Sequence, residues 1–313
     1  MEYMVFTDVA KYLTWIKQII NENPVTTSQK PTVTSSISDT FMAANKTVQC
    51  GLKTQVRTLV YNGKRGEEFW PWHVAIMLLK TDKFEYHCGG TLVSSKSVLT
   101  AAHCVTVLRT EKIIDKDLFL LYLGLTDISD PGPYFKVGLV KDIIIHNEFE
   151  PLRYFNDLAI VKIDIEFNDF IKPICLWDGD LAITSLIGQY GTVVGWRINR
   201  SNETVHDLVE AKMPIVGLES CLYDDRNFFS QYTSPTTFCA GGPNGTGICG
   251  GDSGGAIVFP RQNTQIDKDI WYIRGIVSVT PLDAESVCNT KRYVVFTDVA
   301  RHLAWIKDTA AVQ

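Results

Sequence analysis

The chain has 313 residues, 45% of them hydrophobic and 21% charged, a balance that fits a globular protein with its own core and excludes a disordered or fibrous one. Its net charge of −5 gives no general attraction to nucleic acid or to an anionic membrane. No stretch reaches the roughly 18 apolar residues a spanning helix needs, so the expected partners include neither nucleic acid nor a membrane.

The first element is an internal echo. Residues 3–17 read YMVFTDVAKYLTWIK and residues 293–307 read YVVFTDVARHLAWIK, without a gap and 290 positions apart. Repeat arrays show several short periods, whereas this is one repetition at domain distance. Residues 1–20 therefore read as the orphan tail, a closing strand and helix, of a preceding similar domain. In the second copy Tyr293-Val-Val-Phe296 is the strand, Asp298 can cap a helix, and Val299, Leu303 and Ile306 form one helical face. The opening residues lack the basic start, long apolar run and small-residue cleavage site of a signal peptide. Residues 21–49 follow, with Ser and Thr at about a third of positions plus Pro24 and Pro31, and read as a linker.

From Cys50 onward the texture changes to short apolar runs between turn signals: Val74-Ala-Ile-Met77, Leu118-Phe-Leu-Leu-Tyr122, Ile143-Ile-Ile145, Leu158-Ala-Ile-Val161, Thr192-Val-Val194 and Ile273-Arg-Gly-Ile-Val277. This predicts many strands in barrels or a sandwich, with few helices. Eight cysteines without a CxxC pair point to disulfides and an oxidising compartment. Sequons at Asn45, Asn199, Asn202 and Asn244 point the same way.

Three segments carry chemistry: Leu99-Thr-Ala-Ala-His-Cys104, Asn156-Asp-Leu-Ala-Ile160 and Gly250-Gly-Asp-Ser-Gly-Gly-Ala256. A serine hydroxyl is a poor nucleophile until a base takes its proton. A histidine base in turn needs an acceptor that fixes its tautomer and stabilises its cation. Glycines around a serine let the backbone turn its N–H groups toward a developing oxyanion. Taken singly each segment has a bland reading: a structural His beside Cys, a turn Asp, a flexible Gly loop. Zinc ligation by His87, Cys88, His103 and Cys104 is disfavoured, because adjacent His-Cys pairs are poor tetrahedral chelators; no metal or organic cofactor is expected.

Together, and in the order His, Asp, Ser, these segments resemble the chymotrypsin family of serine proteases over about residues 50–310. The resemblance implies an all-β fold of two six-stranded antiparallel barrels with a short C-terminal helix. It implies Ser253 as nucleophile, His103 as general base and then acid, Asp157 as orienting carboxylate, and the N–H groups of Gly251 and Ser253 as oxyanion hole. Ser278 matches the family serine that hydrogen-bonds the triad aspartate and borders the substrate site. The implied disulfides are Cys50–Cys175, Cys88–Cys104, Cys221–Cys239 and Cys249–Cys288.

The sequence departs from the family pattern in two places. Gly247 stands at the base of the primary pocket, where trypsin-like members carry an aspartate. Thr280 and Val294 stand where the walls usually have glycines, with Ile248 adding an apolar wall. This predicts an elastase-like or chymotrypsin-like preference rather than cleavage after basic residues, and a soft one. Val279 replaces the usual indole after Ser278, which weakens the platform for upstream substrate residues. The second departure is activation: family zymogens are cut to release an amine that pairs with the aspartate beside the serine, here Asp252. The new terminus falls at Leu59 by spacing from Trp70-Pro-Trp72, or at Thr58 by a cut after Arg57. The chain is thus expected to be a secreted zymogen with a protein or peptide substrate, an activating protease and a protein inhibitor. The alternative is a weak or silent homologue that acts as a binding or regulatory module.

Overall fold

The computed structural model describes residues 50–53, 69–196, 206–242, 252–281 and 291–312. The expected orphan tail, the linker, Arg57 to Leu59, Gly247, Ile248, Cys249, Gly251, Cys288 and the four sequons lie outside the described residues.

The apolar runs become strands of two sheets. The first contains β1 (His73–Lys80), β2 (Lys83–Ser94), β3 (Ser97–Thr100), β4 (Phe119–Leu123), β5 (Lys136–Leu139), β6 (Asp142–Ile145) and β7 (Ala159–Lys162), in the order β5-β4-β1-β2-β3-β7-β6. Its two edges, β5 and β6, are consecutive parts of one chain run, and between them Lys141 N–H donates to the Lys162 carbonyl at 2.8 Å. The sheet thus curls into a barrel whose sixth strand is broken in two. Strand β4 shows the pattern that drives this, since Phe119, Leu121 and Leu123 are buried while Leu120 and Tyr122 are half-buried.

The second sheet contains β8 (Cys175–Leu176), β9 (Tyr190–Gly195), β10 (Val209–Val216), β11 (Thr237–Gly241), β12 (Ala256–Asn263), β13 (Lys268–Val279) and β14 (Tyr293–Asp298). Its order is β12-β9-β10-β11-β14-β13-β8, and β12 also pairs with β13, so six antiparallel strands close on themselves. The two-residue β8 adds a parallel pairing on β13. Met213, Ile257 and Phe296 lie in the core of this barrel. These are the two six-stranded antiparallel barrels expected.

Helices differ more from expectation. Two seven-residue helices, α1 (Leu218–Asp224) and α2 (Arg226–Tyr232), follow β10, and the Asp225 carboxylate caps α2 by accepting from Phe228 N–H at 3.0 Å. At the C-terminus, Asp298 caps only the 3-10 turn Val299–Arg301, accepting from Ala300 N–H at 3.0 Å. His302, at φ −111° and ψ 10°, interrupts the helical path, so α3 is Leu303–Ala310. Val299 and Ile306 nevertheless both reach the core of the first barrel.

Candidate active site

Residues from both barrels meet at one corner. His103 sits on the 3-10 turn Ala102–Cys104 that follows β3, and the Cys88–Cys104 disulfide ties this turn to β2. Asp157 enters just before β7 and is fully buried. One of its oxygens, Oδ1, accepts from the main-chain N–H of His103 at 2.9 Å. The other, Oδ2, accepts from His103 Nδ1 at 2.7 Å and from the Ser278 hydroxyl, at the end of β13, at 2.6 Å. A buried carboxylate with three short donors is electrostatically satisfied. With Nδ1 committed to the carboxylate as donor, the neutral ring carries its lone pair on Nε2, the arrangement a general base requires.

Ser253 lies in the turn Asp252–Gly255 that leads into β12, and its carbonyl accepts from Gly89 N–H at 2.8 Å. Gly254 N–H donates to the Val277 carbonyl at 2.9 Å. The packing leaves no room for a side chain at Gly254: its φ is +77°, and a Cβ there would lie 3.1 Å from Cys104 Sγ and overlap Thr100 Oγ1. The serine turn therefore rests directly on the loop that carries His103. Cys88 and Cys104 fall near His103 in a cluster of potential metal ligands, but their sulfurs are bonded to each other and supply no thiolate.

Of the other expected residues, Asp252 is buried, with its carboxylate against the Cα of Gly195, and its charge adds to the burial that pushes the Tyr86 phenol well above its usual range. Thr280 is half-buried with its hydroxyl unpartnered among the described residues, and Val294 packs in the second barrel's core. Cys50–Cys175 and Cys221–Cys239 are bonded. One residue escaped sequence reasoning. Tyr154, at φ +55°, places its ring edge-on to His103 with centroids 5.4 Å apart. Nothing in Pro151-Leu-Arg-Tyr154 marks it, because contact with His103 depends on a loop conformation that a tyrosine rarely adopts.

Two antiparallel barrels with a buried carboxylate joining a histidine and a serine at their corner define the class of chymotrypsin-type proteins. The chain belongs to the trypsin family, whose profile, described as Trypsin, matches residues 61–306. It is 31% identical over 275 residues to serine protease gd of Drosophila melanogaster, covering 76% of this chain and 50% of that protein. It is 32% identical over 244 residues to chymotrypsin-C of Mus musculus, covering 76% and 84%. With clotting factor C of Tachypleus tridentatus it shares 30% identity over 275 residues, 82% of this chain and 26% of that protein. The chain thus spans half the length of the Drosophila relative and about a quarter of clotting factor C.

Proposed function

We propose that the chain is a serine endopeptidase that works through an acyl-enzyme. Ser253 Oγ attacks the scissile carbonyl and passes its proton to His103 Nε2, while Asp157 holds the opposite ring nitrogen and stabilises the imidazolium. The N–H groups of Gly251 and Ser253 receive the oxyanion. The amine leaves with the proton from His103, and a water, deprotonated by the same nitrogen, releases the acyl group. The observation that carries this reading is the wholly buried Asp157 carboxylate, shared between His103 and Ser278. Such a charge is costly to bury, and it is spent on fixing one histidine tautomer.

The finer reading gives a pocket formed by Gly247, Ile248, Thr280 and Val294 that takes small or apolar side chains. It also gives a secreted zymogen cut near Arg57 to Leu59, whose new amine pairs with Asp252. A cascade setting, with an activating protease and a protein inhibitor, is supported by relatives named as a clotting factor and as the CLIP domain-containing serine protease HP8. The test is limited proteolysis followed by N-terminal reading and fluorophosphonate labelling in the same samples. Labelling at Ser253 that appears only with a terminus at Thr58 or Leu59 is expected. A clean cut at that site without labelling would make the chain a silent homologue that binds.

A further inference from the structure

The corner that delivers Asp157 is held from behind by a hydrogen-bonded network that the triad does not include. Asn156, the preceding residue, takes φ +50°, a left-handed conformation in which small shifts re-aim the next side chain. Its amide nitrogen donates to the Glu148 carbonyl at 2.9 Å, which fixes the direction the amide faces. The amide oxygen then accepts from the Thr236 hydroxyl at 3.1 Å and lies 3.0 Å from His302 Nε2. The other ring nitrogen of His302, Nδ1, lies 2.8 Å from the Asp298 carbonyl, and the ring is buried. One residue earlier in the chain, the Thr297 hydroxyl donates to the carbonyl of Asp157 itself at 3.1 Å. His302 is also the residue that breaks the helix expected after Asp298, so a local irregularity coincides with this contact.

We infer that His302 is a positioning residue for the proteolytic reaction: through Asn156 it holds the Asp157 corner in the geometry that orients His103. This rests on the endopeptidase reading. Each ring nitrogen of His302 faces an oxygen, so a neutral ring donates at one of them and only the imidazolium donates at both. Asp298 and Glu148 favour the cation, His146 faces it edge-on at 5.0 Å and disfavours it, and Arg274 and Arg301 offset Asp298. Burial is the largest influence and holds the His302 pKa below its usual range. The Asn156 contact therefore tightens only once pH falls past this lowered pKa, below the ordinary imidazole range.

The test compares the activated wild-type chain with His302→Leu and His302→Gln. At pH 7.5, His302→Leu should label with fluorophosphonate and turn over peptide more slowly by on the order of 10²-fold, the cost of misplacing a catalytic group by about an ångström. The loss should fall in kcat with KM little changed. His302→Gln, which can still donate to Asn156, should restore most of it. The ratio of wild-type to His302→Gln labelling should stay level through the ordinary imidazole range and rise only at pH below it, where His302 takes up its proton. A readout independent of catalysis is the low-field proton resonance of His103 Nδ1–H against Asp157, which should shift or broaden in the Leu variant and persist in the Gln variant. If the wild-type chain never labels but this resonance responds in that way, the positioning role stands and the endopeptidase reading fails. Wild-type labelling and an unmoved resonance in His302→Leu would overturn the inference. So would a loss shared equally by both variants, since that reports packing rather than hydrogen bonding.

Discussion

Asp157 concentrates the chemistry of the site in two oxygen atoms. Replacing it with Asn keeps the volume but supplies one acceptor where the native site uses two, and turns an N–H₂ group toward either the His103 ring or its main-chain N–H. Facing the ring, that group donates to Nδ1 and holds the histidine in the wrong tautomer, and Asp157→Asn is expected to slow phosphonate labelling at Ser253 by on the order of 10⁴-fold without unfolding the chain. Ser278→Ala separates orientation from charge. It removes one donor, at 2.6 Å, and leaves the bond to His103 in place. The expected result is a stability loss of about 1.5–3 kcal/mol, the worth of a hydrogen bond to a charged group, with a far smaller loss of labelling rate. Urea unfolding and labelling kinetics on the same two variants check both statements. Equal labelling losses in the two would mean that Asp157 acts only as a structural anchor.

Strands β13 and β14 carry a different commitment, the buried pair Arg274–Asp298. Arg274 is fully buried, ion-pairs with Asp298, donates from Nη2 to the Leu181 carbonyl at 3.0 Å and lies over the Trp177 ring. Burial lowers the arginine's pKa and raises the aspartate's, so for each ion desolvation outweighs the partner's attraction. Arg274→Met should therefore cost about 3–5 kcal/mol by stranding Asp298. The double variant with Asp298→Asn, which keeps an oxygen for the Ala300 cap, should recover much of that. Strictly additive losses in a denaturant double-mutant cycle would refute this account. The same scale explains what could be read in advance. Strands such as β4 and β7 announced themselves because their burial follows apolar runs in the sequence. The triad segments were legible because their chemistry is local to a few consecutive residues. Helices α1 and α2 were not, being seven residues each and stabilised by the Cys221–Cys239 link and by packing around Phe229, which only the fold supplies. The late start of α3 was hidden for a similar reason, because His302 gives up helical dihedrals where its ring meets Asn156, far away in sequence.

Across the whole molecule, buried histidines set the response to acid. His73, at the start of β1, is buried against Trp196 with its Nε2 unpartnered among the described residues, and burial lowers its pKa from 6.5 to about 3. Burial lowers those of His146 and His302 as well. For each, the unfolded chain binds more protons than the folded one between the two pKa values. The stability they contribute is complete above pH 6.5 and is lost as pH falls toward the folded pKa. For His73 the full span corresponds to about 5 kcal/mol, with a slope of about 1.4 kcal/mol per pH unit. Asp298, whose pKa burial raises, acts in the opposite sense, so the informative quantity is a difference between two proteins. Wild type and His73→Gln unfolded in urea from pH 7.5 to 4.5 should diverge in slope, with the wild type losing stability faster toward acid by about that increment per unit. Parallel curves would mean that the His73 ring is hydrated in solution and titrates normally. Divergence would show that the first barrel's core carries a proton-linked instability at His73, separate from the residues of the active site.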